Sequence, residues 1–236
     1  MKVALLGYGK MGKTLESIAL AKGHQVVVKI HSSNAQHRNN LQGADVAIEF
    51  THAQAATENL KACFDQQVPV VCGTTGWLAH KDEIEAYCMK KNGAFFYASN
   101  FSLGVNLFFK LNQWLARKMN AYPAYDISVE EIHHTQKKDT PSGTAITLAE
   151  DILREVPRKK NWGDKKNATP ERLVITSLRE DPTPGTHTVK YTSDVDSLEI
   201  KHTAHSRLGF AEGALLAAEW LRGKKGIFGM DDLLKF

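Results

Sequence analysis

Val3-Ala4-Leu5-Leu6-Gly7-Tyr8-Gly9-Lys10-Met11-Gly12-Lys13 is a short apolar run that ends in closely spaced glycines. The run reads as a strand. Lys13 to Lys22 follow with helical spacing of Leu15, Ile18 and Ala19 until Gly23 stops them. A second apolar run, Val26 to Ile30, comes next, as expected when a crossover helix returns the chain to a parallel neighbour. Residues 1–30 therefore read as a βαβ unit. Gly7-Tyr8-Gly9-Lys10-Met11-Gly12 matches G-x-G-x-x-G at its strand-to-helix turn. Glycines there allow a tight turn and close backbone approach, and the helix N-terminus favours a pyrophosphate.

Further along, Val46 to Phe50, a helix over Ala53 to Asp65, Val68 to Cys72, the turn Gly73-Thr74-Thr75-Gly76, a helix around His80 to Lys91 and Ala94 to Tyr97 continue the alternation. This predicts a Rossmann-like doubly wound parallel sheet. After residue 102 the texture changes to a long amphipathic helix over Val105 to Met119, a run over Asp126 to Ile132 and a helix over Ala145 to Glu155. Alternating runs at Leu173 to Leu178, Val189 to Ser193 and Ser197 to Thr203 complete the pattern of an α+β domain with a mixed sheet. Gly209 to Leu221 is an alanine-rich helix expected to pack back on the first domain. The expected organisation is a dinucleotide-binding domain over residues 1–102 and 207–236, with a substrate-binding and oligomerisation domain over residues 103–206.

The 236 residues leave room for one large domain or two modest ones, and 42% apolar with 24% charged residues is ordinary globular composition. A net charge of +4 fits a small anionic ligand better than nucleic acid. The basic stretch Arg158 to Lys166 contains Gly163 and Asp164 and reads as a solvated loop. Cys63, Cys72 and Cys88 are odd in number and lack metal-ligand spacing, so they read as buried or idle thiols in a reducing compartment. No apolar run approaches the roughly 18 residues of a membrane span. A cytoplasmic protein with no membrane or nucleic-acid partner is expected.

An NAD-selective turn usually has an acidic residue about 20 positions past its glycines to accept from the ribose 2′-hydroxyl. The second run instead ends in Lys29-Ile30-His31-Ser32-Ser33, with no acid before Asp45, and Lys10 lies in the turn itself. These groups can face a 2′-phosphate, which favours NADPH and leaves NADH open.

The densest collection of reactive groups is Glu130-Glu131-Ile132-His133-His134-Thr135-Gln136-Lys137-Lys138-Asp139-Thr140-Pro141-Ser142-Gly143-Thr144-Ala145. A histidine here can supply a proton near neutral pH, and a lysine a few residues on can neutralise a carboxylate or help deliver that proton. Ser142, Gly143 and Thr144 at a helix start offer hydroxyls and free N–H groups to an anion. By spacing alone the segment reads equally well as a polar surface loop whose Ser142 or Thr144 caps the next helix. A zinc site on His133, His134, His202 and His205 lacks a nearby Cys or an H-E-x-x-H motif, so no metal is expected.

Glu131 to Ala145 fits every fixed position of E-x-H-H-x-x-K-x-D-x-P-S-G-T-A, and on it the chain resembles the 4-hydroxy-tetrahydrodipicolinate (dihydrodipicolinate) reductase family. The likeness extends to Gly73 to Gly76, Ser99 to Asn106 and Ser206 to Ala214. The resemblance implies reduction of a cyclic unsaturated dicarboxylate with NADPH and/or NADH in lysine and diaminopimelate biosynthesis. It also implies a homotetramer and a hinge near Phe101 to Gly104 and Ser206 to Gly209. It makes His133 the general acid and Lys137 the second catalytic donor. His134, Gly143 and Thr144 become substrate-carboxylate positions, and we add Ser142 beside them. It assigns the cofactor to Gly7, Tyr8, Gly9, Lys10, Met11, Gly12, Gly73, Thr74, Thr75, Ser99, Asn100 and Phe101, with Phe50 and Thr51 lining the nicotinamide side. Many relatives carry G-x-x-G-x-M-G, one residue longer than the turn here, and an acidic residue where this chain has His31, which we include in the cofactor set.

The residues leave other functions open. A related amino-acid dehydrogenase could use the same glycine turn, and an NADPH-binding regulatory module would need no His133/Lys137 pair. A Ser142 hydrolase would need a G-x-S-x-G elbow, which is absent from the sequence.

Overall fold

In the computed structural model, which describes residues 1–41, 43–206 and 208–236, two-residue alternation builds the first sheet. In β1 (Lys2–Leu6), Val3 and Leu5 enter one apolar cluster and Ala4 and Leu6 another, all four buried. β2 (Gln25–Ile30), β3 (Val46–Glu49), β4 (Val70–Cys72) and β5 (Ala94–Tyr97) extend this sheet through parallel pairs. α1 (Lys10–Ala21) packs Leu15 and Ala19 against Val3, Leu5, Val46 and Ile48. α2 (Ala53–Asp65) and α3 (Lys81–Lys90) cover the opposite face, where Leu60, Cys63, Ile84 and Cys88 meet Ala4, Leu6, Ala47 and Val70. Burial on both faces is why the strands read as apolar runs rather than alternating ones. Cys63, Cys72 and Cys88 are all free and buried.

The second unit starts within α4 (Leu103–Met119) and contains β6 (Asp126–His133), α5 (Gly143–Glu155), β7 (Asn161–Gly163), β8 (Arg172–Arg179), β9 (Gly185–Thr192) and β10 (Ser197–Ala204). Its sheet runs β10-β9-β6-β8-β7, with β6 antiparallel to β9 and parallel to β8. One face of three adjacent strands carries Ile127 and Val129, Leu173 and Ile175, and Val189 and Tyr191. These pack under Leu148, Ala149 and Ile152 of α5 and Phe108 and Leu115 of α4.

α6 (Leu208–Leu221), β11 (Gly226–Phe228) and α7 (Met230–Leu234) rejoin the first unit. β11 pairs in parallel with β5 and completes the order β11-β5-β4-β3-β1-β2. Ala211, Ala214, Ala217 and Ala218 let α6 lie close to the sheet. A side chain at Gly213 would place its Cβ 1.8 Å from the carbonyl oxygen of Phe101, so only glycine fits. The compact units are Met1–Leu103 with Leu208–Phe236, and Gly104–Arg207. Arg207, the first residue of the expected return segment, lies outside the described residues.

The stretch Arg158 to Lys166 departs from the solvated loop expected of it. It contains edge strand β7, and Lys159 is buried, donating to Asp126 at 2.6 Å and to the carbonyls of Pro170 and Arg172 at 2.9 and 3.2 Å. Acceptors supplied by the sheet outweigh the polar composition of the stretch. Among the described residues no helix is long and apolar enough to cross a membrane.

Candidate active site

The face of β6 that carries Ile127 and Val129 continues, two residues at a time, to Glu131 and His133. Both neighbours change character at the same step. Val129 pairs with Val189 and Ile175, whereas Glu131 pairs with His187 and Ser177, and His133 pairs with Arg179. The apolar core thus gives way to a polar row across three strands. α5 begins above it, with Ser142 as its N-cap.

Glu131 is fully buried, and both its oxygens accept from the backbone N–H of Ser142, at 3.0 and 3.2 Å. The Ser177 hydroxyl donates to the same carboxylate at 2.7 Å. Burial by itself would raise the Glu131 pKa, but hydrogen bonds from His187, Ser142 and Ser177 hold it at about 2. His187 Nε2 shares a hydrogen bond with Ser142 Oγ at 3.1 Å, and that oxygen also accepts from Ala145 N at 3.2 Å, capping the helix.

His133 Nδ1 lies 3.4 Å from Glu131 Oε2, and its ring meets that of His187 edge-on with centroids 5.0 Å apart. The buried Nδ1 atoms of both histidines have no hydrogen-bond partner. Burial, then the nearby His187, Lys137 and Arg179, push His133 down to about 4 against the pull of Glu131. Its imidazole is therefore neutral at pH 7.

The loop between β6 and α5 is tied down from β8 and the loop after it. Arg179 donates to the carbonyl of Asp139 at 2.8 Å and to the Thr140 hydroxyl, and Asp181 accepts from Thr135 N at 3.2 Å and its hydroxyl at 2.5 Å. Lys137 Nζ lies 2.8 Å from both oxygens of Asp139. His134, Gln136, Asp181, Pro182, Pro184 and Ser206 line a cleft of about 370 Å³. Gly143 and Thr144 hold the first two positions of α5, whose N–H groups have no acceptor within the helix. Sequence-predicted His133, His134, Lys137, Ser142, Gly143 and Thr144 thus belong to one loop and the elements flanking it.

Among the described residues, the His, Cys, Asp or Glu donors that gather closely enough for a metal are Glu131, His133 and His187, not the four histidines weighed from spacing. Their types suit zinc. Yet Glu131 is engaged by Ser142 and Ser177, and His187 Nε2 by Ser142 Oγ, so the trio is built as a hydrogen-bonded support.

In the first unit the predicted cofactor residues follow the carboxyl ends of parallel strands: Gly7 after β1, His31 after β2, Phe50 and Thr51 after β3, Gly73 to Thr75 after β4, and Ser99 to Phe101 beyond β5. This is where open α/β sheets bind ligands. Gly7 has φ +100°, and a Cβ there would lie 2.0 Å from the carbonyl oxygen of Phe50. The first turn of α1 has no acidic residue, so its N-terminal field is uncancelled, and a Cβ at Gly9 would meet nothing within 4 Å. The turn therefore fits a dinucleotide pyrophosphate. Buried Glu49 braces the next two loops, accepting from the Thr51 hydroxyl, Thr51 N at 3.2 Å and the Cys72 thiol at 3.1 Å. His31 is exposed and bonds Ser33 Oγ at 2.8 Å. The Lys29 ammonium pairs with Glu16 and lies over the Tyr8 ring.

Residues 1–101 match the family described as Dihydrodipicolinate reductase, N-terminus, and residues 104–234 match Dihydrodipicolinate reductase, C-terminus. The chain belongs to the dihydrodipicolinate reductase family. A curated 4-hydroxy-tetrahydrodipicolinate reductase of Christiangramia forsetii is 50% identical over 234 residues, covering 99% of this chain and 98% of that one. Another protein of that name, from Desulfovibrio desulfuricans, is 34% identical, covering 95% of each chain. Among solved structures, dipicolinate-bound dihydrodipicolinate reductase from Paenisporosarcina sp. TG-14 superposes with TM-score 0.78 at 21% identity, covering 98% of each chain, and shares the fold.

Four residues around this reductase-family motif were missed in the sequence: Ser177, Arg179, Asp181 and His187. Ser177 falls within an expected strand as an unremarked polar position. Arg179 and His187 fall just outside runs drawn to end at Leu178 and to begin at Val189. Continuing the two-residue alternation past the last apolar residue would have found both.

Proposed function

We propose that the chain reduces 4-hydroxy-tetrahydrodipicolinate to tetrahydrodipicolinate, using NADPH and/or NADH, as a step of lysine and diaminopimelate biosynthesis. The observation that carries this reading is the polar row of Glu131, His187 and His133 beneath the start of α5, in the second unit of a dihydrodipicolinate reductase family chain. The 4-hydroxyl leaves with a neighbouring ring hydrogen as water, and the conjugated ring so formed takes up a hydride and a proton. A nicotinamide dinucleotide held at Gly7 to Gly12, His31, Phe50, Thr51, Gly73 to Thr75 and Ser99 to Phe101 supplies the hydride when bound.

In this reading the protein's own groups hold the substrate and move the proton. The N–H groups of Gly143 and Thr144, the positive end of α5, Ser142 and His134 receive the carboxylates. Those negative charges draw a proton onto His133, whose imidazole then donates it to the reduced ring. Lys137 swings between Asp139 and the substrate as the second donor. Lys10, exposed in the glycine turn, faces the 2′-phosphate of NADPH. A homotetramer in the cytoplasm is part of the same proposal, and light scattering reads the assembly.

The test supplies the condensation product of pyruvate and aspartate semialdehyde and follows nicotinamide absorbance with NADPH and NADH in parallel. Rapid substrate-dependent oxidation is expected. No oxidation with either nucleotide, by folded protein that binds nucleotide, would overturn the assignment.

A further inference from the structure

We propose that His187 is a positioning residue that couples the anion-receiving start of α5 to the proton-carrying imidazole of His133. The proposal rests on the reading of His133 as proton donor and adds a residue which that reading does not use. His187 occupies the cross-strand position opposite Glu131 and is buried. Its two contacts point in two directions. Nε2 meets Ser142 Oγ at 3.1 Å, and the ring edge meets His133 at 5.0 Å between centroids.

The first contact fixes Ser142. With Oγ held between His187 and Ala145 N, the Ser142 backbone N–H is aimed at Glu131. The N–H groups of Gly143 and Thr144, at the first two positions of α5 and without an acceptor in the helix, are left for an incoming carboxylate. Without His187, the Ser142 hydroxyl can rotate and the first turn of α5 loses its bearing on Glu131.

The second contact controls charge. His133 faces Glu131 on its own strand, His187 on β9, Arg179 on β8 and Lys137 in the following loop, while His187 in turn lowers the pKa of His202 on β10. Glu131 is a single negative charge shared by two imidazoles, at 3.4 Å from His133 and 3.6 Å from His187. The neighbouring His187 ring opposes a proton on His133, and Glu131 favours one.

The experiment uses the full chain with H187L, H187Q, S142A and H133A, measured for kcat, KM and the pH profile of kcat/KM. Leucine removes both functions, so H187L should raise the dicarboxylate KM about tenfold, the worth of one hydrogen bond to an anion-orienting group. The KM for the nicotinamide nucleotide should stay unchanged. The high-pH limb of kcat/KM, where His133 loses its proton, should move upward because His187 no longer holds the His133 pKa down. The glutamine amide can still donate to Ser142 Oγ, so H187Q should restore KM while keeping the displaced limb. S142A should raise the same KM without moving the limb.

An unmoved limb in H187Q, or equal loss of affinity for both substrates with no rescue by glutamine, would overturn the proposal. If H187L folds poorly by circular dichroism, H187Q and S142A carry the test alone. H133A separates the two levels of inference. Full activity in H133A would remove the proton-donor reading itself, whereas loss of activity there with a silent H187Q would remove only the role of His187.

Discussion

The backbone N–H of Ser142 lies within 3.2 Å of both carboxylate oxygens of Glu131, eleven positions earlier in the chain, so a buried charge closes the loop that carries His134 and Lys137. Replacing that carboxylate with an amide removes the charge and turns one acceptor into a donor facing Ser142 N. We expect E131Q to lower stability by about 2 kcal/mol, measured by urea unfolding. Melting without loss relative to wild type would show that the loop is held elsewhere.

Acid should unfold the protein in two overlapping windows. His133 is held below its ordinary 6.5, at about 4, so between those values the unfolded chain binds a proton that the folded chain refuses. Glu131, held at about 2 against an ordinary 4.5, acts the same way lower down. In both cases stability falls as pH falls. Unfolding free energy measured from pH 7 to 3 should flatten over the upper window in H133N and over the lower one in E131Q.

Binding of a dicarboxylate should bring a proton with it. Because His133 is neutral at pH 7 in the free protein, calorimetry with dipicolinate in buffers of different ionisation enthalpy should show uptake of about one proton, absent in H133N. H133A should also lower kcat by about 10²–10⁴. Proton-neutral binding in wild type would exclude His133 as the group that charges.

Nucleotide choice should follow Lys10 and ignore Lys29. Lys29 already neutralises Glu16, whereas Lys10 is exposed in the turn with no acidic residue in the first turn of α1. K10A should lower the ratio of kcat/KM for NADPH over NADH by on the order of tenfold, and K29A by less than twofold. The reverse ranking would move the 2′-phosphate to the Lys29 side.

A methyl group at position 213 should be costly and one at position 209 should not. The Cβ of G213A would press on the Phe101 carbonyl at 1.8 Å, a backbone atom that cannot step aside, whereas in G209A it would rest 3.9 Å from Ser102 Oγ. Thermal melting should place G213A roughly 1–3 kcal/mol below wild type. G209A should match or exceed wild type, since alanine favours a helix.

Nearly all of the strand and helix order was legible, because both units repeat apolar patterns of period two or near 3.6 and glycines mark their ends. What escaped lies where those patterns stop for a physical reason. At Val129, Ile175 and Val189 the strands pass from core to site, and the residues that continue them, Glu131, Ser177 and His187, are polar because they bind one another. The expected runs over Asp126 to Ile132 and Leu173 to Leu178 already span Glu131 and Ser177 without marking Ser177, whereas the run beginning at Val189 leaves His187 out. The short strand β7 and the final strand β11 escaped for a different reason: three residues paired at a sheet edge draw order from their neighbours' backbone and need little pattern of their own. The pairing of Lys29 with Glu16 was not legible because the two lie thirteen positions apart on different elements, a distance no local window spans.

The first sheet receives its fourth strand, β4, and its fifth, β5, long before α6 and β11 exist as polymer. During synthesis the whole of Gly104 to Arg207 must emerge before Ala211, Ala214 and Leu215 can cover Val46, Ile48, Val71 and Phe96. The inserted unit is therefore free to fold while its host is still half-bare. For that interval the nascent chain presents a broad greasy sheet to its surroundings, the kind of surface that holdase chaperones occupy. A stop or frameshift at the start of α6 would leave the inserted unit's sequence whole and deprive the Val46, Ile48, Val71 and Phe96 face of its cover.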